Sequence, residues 1–129
     1  MKSTRGFTVV ELIIVIALFA VASIVFFIQK NDFETSSRDD ARKTSINALY
    51  YSLEEVYYPN NGSYPRALNA ETLPSVDPEL FSDPFGVDIN QGESNFRYEP
   101  LDCTEDSCKS YTLRSILENE SDFIKESRQ

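Results

Sequence analysis

The sequence predicts an α+β fold in which one long N-terminal helix packs on a small antiparallel sheet. Three observations carry this. Residues 7–28 (FTVVELIIVIALFAVASIVFFI) hold a single charge, Glu11. No Gly or Pro occurs between Phe7 and Tyr58, so nothing breaks a helix across that whole stretch. Further on, NFRYEP (95–100) and SYTLRSIL (110–117) alternate in the period of two that strands require.

The first half of the helix is apolar all round. Its 22 residues reach about 33 Å, enough for a hydrocarbon core of about 30 Å. Lys2 and Arg5 precede it and acids dominate after it, so the basic end stays in the cytoplasm and residues 29–129 face outward. One reading competes. Ala20-Val21-Ala22 resembles the small-residue site of an ordinary secretory signal. Glu11 inside the apolar run and the strongly apolar SIVFFI after Ala22 oppose it.

The second half is amphipathic. Ile46, Leu49, Tyr50, Leu53 and Tyr57 recur at helical spacing, and Asp39, Asp40, Arg42, Lys43, Glu54 and Glu55 are assigned to the opposite, polar face. Pro59 is the first breaker, which gives one helix of about fifty residues. A helix that long needs an added reason. Here the reason is a span in its first half and a covering sheet on its second.

That cover comes from the rest of the chain. PNNGSYP is a turn-rich exit. Asp77-Pro78 is a cap and first position for a short helix through Phe81, and Asp83-Pro84-Phe85-Gly86 is a turn. Phe96 and Tyr98 on the first strand, and Tyr111, Leu113 and Leu117 on the second, are the inward residues. Both cysteines fall in the connecting loop. The polar end, ENESDFIKESRQ, is expected to be loosely held.

Composition excludes several functions. A net charge of −9 disfavours a nucleic-acid partner, because phosphate contacts need clustered Lys and Arg. With no histidine, imidazole catalysis and the usual imidazole metal sites are out. No nucleophile–base pair or phosphate loop is visible, so no enzyme is expected. Cys103 and Cys108 suffice for one local disulfide on the exported side; free thiols are the alternative, and zinc lacks two further ligands. Asp102, Glu105 and Asp106 crowd the same loop. They offer the oxygen ligands calcium takes, yet without EF-hand spacing, and a solvated acidic tip is the plainer reading. No other cofactor is expected.

The segment RGFTVVELIIVIALF resembles the processing and anchor signature of type IV pilins and pseudopilins. Gly6, Phe7, Thr8, Val9, Val10 and Glu11 follow the pattern in order. The resemblance implies a pilin-like fold with a leader at 1–6, a transmembrane and assembly helix at 7–28, and an exported head at 29–129. It implies cleavage between Gly6 and Phe7 by a prepilin peptidase and N-methylation of Phe7. Loss of the leader leaves 10 basic against 21 acidic side chains, formally −11. Glu11 lies one helical turn inside the new terminus, and an acid within a span is costly without a partner. The resemblance implies that it pairs with the Phe7 amine of a neighbouring subunit; the bland reading is a carboxylate that snorkels into headgroups. YYPNNGSYP, DPFG and SYTLRSILE also resemble the distal half of major pseudopilins and of pilins with similar small heads, and some pseudopilins bind calcium in their C-terminal loops. The expected function is a structural subunit that polymerises with copies of itself into a type IV pilus filament on the cell surface. The alternative is a pseudopilin of a type II secretion or DNA-uptake (competence) machine. The implied partners are the peptidase, the assembly platform in the membrane, and lipid around the single-pass precursor.

Overall fold

The computed structural model describes residues 6–129. Lys2, Arg5 and the rest of the leader except Gly6 lie outside the described residues. The chain forms two compact units, divided between Glu34 and Thr35.

Helix α1 runs Val9–Ser52. Within the first unit its apolar side chains stand exposed. The most apolar 18-residue window has a mean hydropathy of 3.0, and none of it is buried. Ser23 donates its hydroxyl to the Phe19 carbonyl at 2.8 Å, the bond a helical serine makes when no water serves it. Lys30 and Glu34 form an exposed i,i+4 pair at 3.7 Å.

The second unit holds the core. Ile46, Leu49 and Leu53 pack with Phe96, Tyr98, Tyr111 and Leu113 in one buried cluster. Each such side chain contributes about 1.5–3 kcal/mol on burial. After Ser52 the helix takes one π-turn, Leu53–Tyr57, whose signature bond runs from the Tyr58 N–H to the Leu53 carbonyl. Helix α2, Tyr58–Asn61, follows. Pro59 does not end the helix. It sits in the first turn of α2, where a missing N–H is tolerated. Gly62, at φ 69°, ends it in the left-handed conformation that a Cβ would disfavour.

Strands β1 (Tyr64–Pro65), β2 (Phe96–Thr104), β3 (Ser107–Ser115) and β4 (Phe123–Glu126) make one antiparallel sheet. β3 is central: β2 lies along one side of it, while β1 and β4 pair with opposite ends of its other side. The expected inward residues are buried, Leu117 included. Asp77 caps a 3-10 turn at Pro78–Phe81 by accepting from the Glu79 N–H at 3.0 Å. The Asp83 side chain fixes the DPFG turn by accepting from the N–H groups of Phe85 and Val87. Along the outer edge of β2, the Asn90 amide bonds both backbone groups of Tyr98 at 2.9 Å, and Pro100 has no N–H to offer. That edge is closed to strand addition.

Three expectations need correction. Asp39, Arg42 and Glu54 do not lie on a solvated face; all three are buried. The C-terminal residues 118–129 are not loose, because they are what covers those charges. Asp39 accepts from the backbone N–H groups of Glu118 and Asn119 (2.9 Å each) and from Arg42 Nη1 at 2.7 Å. Glu54 accepts from the hydroxyls of Tyr111 (2.8 Å) and Tyr64 (3.1 Å) and from the Arg128 N–H at 3.2 Å. Burial of the two carboxylates is tolerable because each meets several donors. Arg42, by contrast, meets Asp39 and Glu118 through Nη1 alone, and its Nε and Nη2 are buried without a hydrogen bond. The cysteines lie on the facing strands and not in a loop, since β2 and β3 extend to Thr104 and Ser107 around a two-residue turn.

Candidate functional site

The start of α1 is built by a threonine. Thr8 accepts at Oγ1 from the Glu11 N–H at 3.2 Å, while its carbonyl takes the first helical bond from Leu12 at 3.1 Å. This satisfies one of the four N–H groups that a helix start leaves unpaired. Thr8-Val9-Val10-Glu11 has the spacing of a capping box. The sequence reading places Thr8 in the signature but not as a cap, although that four-residue signal is readable.

Gly6, Phe7, Thr8 and Glu11 line one open groove of about 500 Å³. Phe7 is 82% exposed, and Glu11 is exposed as well. A Cβ built on Gly6 meets nothing within 4 Å, and its φ is not in the left-handed region. The fold of this chain therefore does not require glycine at position 6. The carboxylate of Glu11 stands at the end of the helix whose dipole favours negative charge. It is one turn from the atom that would become an ammonium if the chain were cut before Phe7.

Elsewhere the polar groups serve structure. Cys103 and Cys108 face each other across β2 and β3 and form a disulfide. Asp102 and Glu105 adopt positive φ (51° and 57°), and the Glu105 carbonyl accepts from Arg66 at 2.8 Å. Among the described residues no group of three or more His, Cys, Asp and Glu side chains is placed to hold a metal ion. Asp102, Glu105 and Asp106 are thus not gathered into a ligand set. Burial pushes the Tyr64 and Tyr111 hydroxyls well above their usual range, and the Glu54 carboxylate beside them adds to the shift. Both remain neutral donors to that carboxylate. Burial pushes the Asp39 carboxyl up, but the Glu118 and Asn119 N–H groups and the Arg42 guanidinium outweigh it and hold the group below the ordinary range. Glu118, gripped by Arg38 first and Arg42 second, is lowered to about 2.

Residues 1–27 match a known family, the prokaryotic N-terminal methylation motif, which is typical of type IV pilins and pseudopilins. No curated protein and no solved structure matches the chain. With an apolar N-terminal helix and a four-stranded antiparallel sheet, the architecture is pilin-like α+β. The chain thus joins a prepilin-type methylation motif at its N-terminus to a pilin-like fold.

Proposed function

We propose that this chain is a subunit of a type IV pilus, cut between Gly6 and Phe7 by a prepilin peptidase, N-methylated on Phe7, and polymerised through α1. One observation carries the reading. The helix that bears the methylation motif is long and apolar enough to span a membrane, yet its most apolar window is wholly unburied within the chain. Such a surface needs lipid before assembly and other helices after it. The blocked edge of β2 also favours assembly through α1 over assembly by strand addition. Once cut, the Phe7 ammonium of one subunit pairs with the Glu11 carboxylate of its neighbour and sets the axial stagger. The precursor is single-pass with its N-terminus in the cytoplasm, and residues 29–129 form the exported head.

N-terminal mass spectrometry of the mature protein tests this. The expected chain begins at an N-methylated Phe7, and Gly6→Val leaves the precursor uncut in the membrane. A terminus at Ser23 would establish ordinary signal cleavage and sink the proposal. A pseudopilin of a type II secretion or DNA-uptake machine uses the same assembly chemistry. Electron microscopy of surface filaments separates the two.

A further inference from the structure

We propose that Asn119 is an N-linked glycosylation site. Asn119-Glu120-Ser121 has the Asn-X-Ser pattern of an acceptor, with no proline at the middle position. The pattern is short and recurs by chance, so the local structure has to carry the argument. All three residues are exposed, in irregular backbone between β3 and β4. The Asn119 backbone N–H is held by Asp39 at 2.9 Å. On either side, Glu118 is bound to Arg38 and Arg42, and Glu120 to Lys43 at 2.7 Å. The backbone is pinned from beneath while the Asn119 side chain stands on the surface. A bulky saccharide can be attached there without disturbing a packed group.

A second match, Asn61-Gly62-Ser63, shows what an unsuitable site looks like. Asn61 is the last residue of α2. Its amide nitrogen already donates to the Tyr57 carbonyl at 2.9 Å, and the next N–H, that of Gly62, donates to the Tyr58 carbonyl at 2.7 Å. Modification of Asn61 requires opening that helix end. Asn119 requires nothing to open.

The reaction needs a saccharide carried on a polyprenyl pyrophosphate and a transferase on the outer side of the membrane. The Asn119 amide nitrogen forms an N-glycosidic bond to the anomeric carbon. The bond from that carbon to the pyrophosphate oxygen breaks, the lipid pyrophosphate leaves, and the amide loses one proton. The inference rests on export of the head and so on the proposed function.

Peptide and intact-mass spectrometry of the full chain from producing cells tests it. The expected result is a saccharide mass on Asn119 that is lost in Asn119→Gln and Ser121→Ala and kept in Ser121→Thr. None of these changes removes the backbone N–H that holds Asp39. A chain that begins at Phe7 with Asn119 bare overturns this inference and leaves the proposed function standing. An uncut chain with Asn119 bare overturns both. A saccharide on Asn61 alone, or one that survives Ser121→Ala, also overturns it.

Discussion

Asp39 and Arg42, three residues apart on α1, form an ion pair of 2.7 Å with side chains only 2% and 0% exposed. Arg42 Nη1 also reaches Glu118 at 2.8 Å, and the Phe85 ring lies 5.6 Å over its guanidinium. A buried pair contributes little net stability, but removing one partner leaves the other charge stranded. Asp39→Ala also orphans the Glu118 and Asn119 N–H groups. The expected cost is about 3–5 kcal/mol, measured by urea unfolding of a soluble head beginning at Gln29. A loss under about 1 kcal/mol would mean that the pair behaves as a surface bridge.

The same cluster makes the head sensitive to acid. Asp39 and Glu118 both titrate below their ordinary values in the folded state, Glu118 at about 2. A depressed folded value means that the unfolded chain takes up protons first as pH falls. Their stabilisation is therefore complete above the ordinary carboxylate range, near 4.5 for Glu118, and is lost as pH falls towards about 2. The melting temperature should decline through that window, and Glu118→Gln should flatten the decline. An unchanged acid profile in Glu118→Gln would remove Glu118 from the account.

The partners in this cluster explain what the sequence did and did not disclose. Alternation is local, so Phe96, Tyr98, Tyr111 and Leu113 could be assigned to the sheet's inner face from their own neighbours. The unbroken run from Phe7 to Tyr58 disclosed the helix for the same reason. Asp39 and Arg42 fall at helical spacing on the stripe of Ile46, Leu49 and Leu53, so their inward face was legible. What was not legible is most of the partners of Asp39 and Glu54, which lie 57 to 80 residues further along the chain. A charge on a helix reads as solvated until its partner is known, and the polar composition of 118–129 concealed a segment that binds through its polar groups. The π-turn at Leu53–Tyr57 inserts one residue into the helical period. No composition marks it. The candidate site is the reverse case: Gly6, Phe7 and Glu11 form a motif contiguous in sequence, and only the capping role of Thr8 went unread.

The disulfide is a cross-strand clip on a hairpin whose remaining pairs are already made. Cys103 and Cys108 are five residues apart, so the loop they close is short. The chain-entropy model then gives about 2 kcal/mol. Replacing both with Ser should lower the melting temperature of the soluble head by roughly 4–8 °C for each kcal/mol lost near the transition. The core cluster around Cys108 should keep the fold assembled at room temperature. Quantitative alkylation of both thiols in protein from the cell surface would refute the bridge.

The last prediction is that Glu11 serves assembly and contributes little to folding of the head. The core that holds the sheet is drawn from residues of the second unit, Thr35–Gln129, and Glu11 belongs to the first. Glu11 is exposed, and the bond found at this residue is made by its backbone N–H to Thr8, which any side chain at position 11 would leave intact. In lipid the carboxylate subtracts from anchoring. Between packed helices it becomes favourable only when a cation meets it at low dielectric, and the Phe7 ammonium made by cleavage is such a cation. Glu11→Val should therefore leave the precursor stable, inserted and cut, with the head's melting temperature unchanged, while surface filaments are lost or sparse. Glu11→Gln separates two cases: filaments persist if hydrogen bonding sets the register, and vanish if charge does. Filaments counted by electron microscopy, with cleavage measured in the same cells, decide the matter. Normal filament yield in Glu11→Val would show that the carboxylate has no part in assembly.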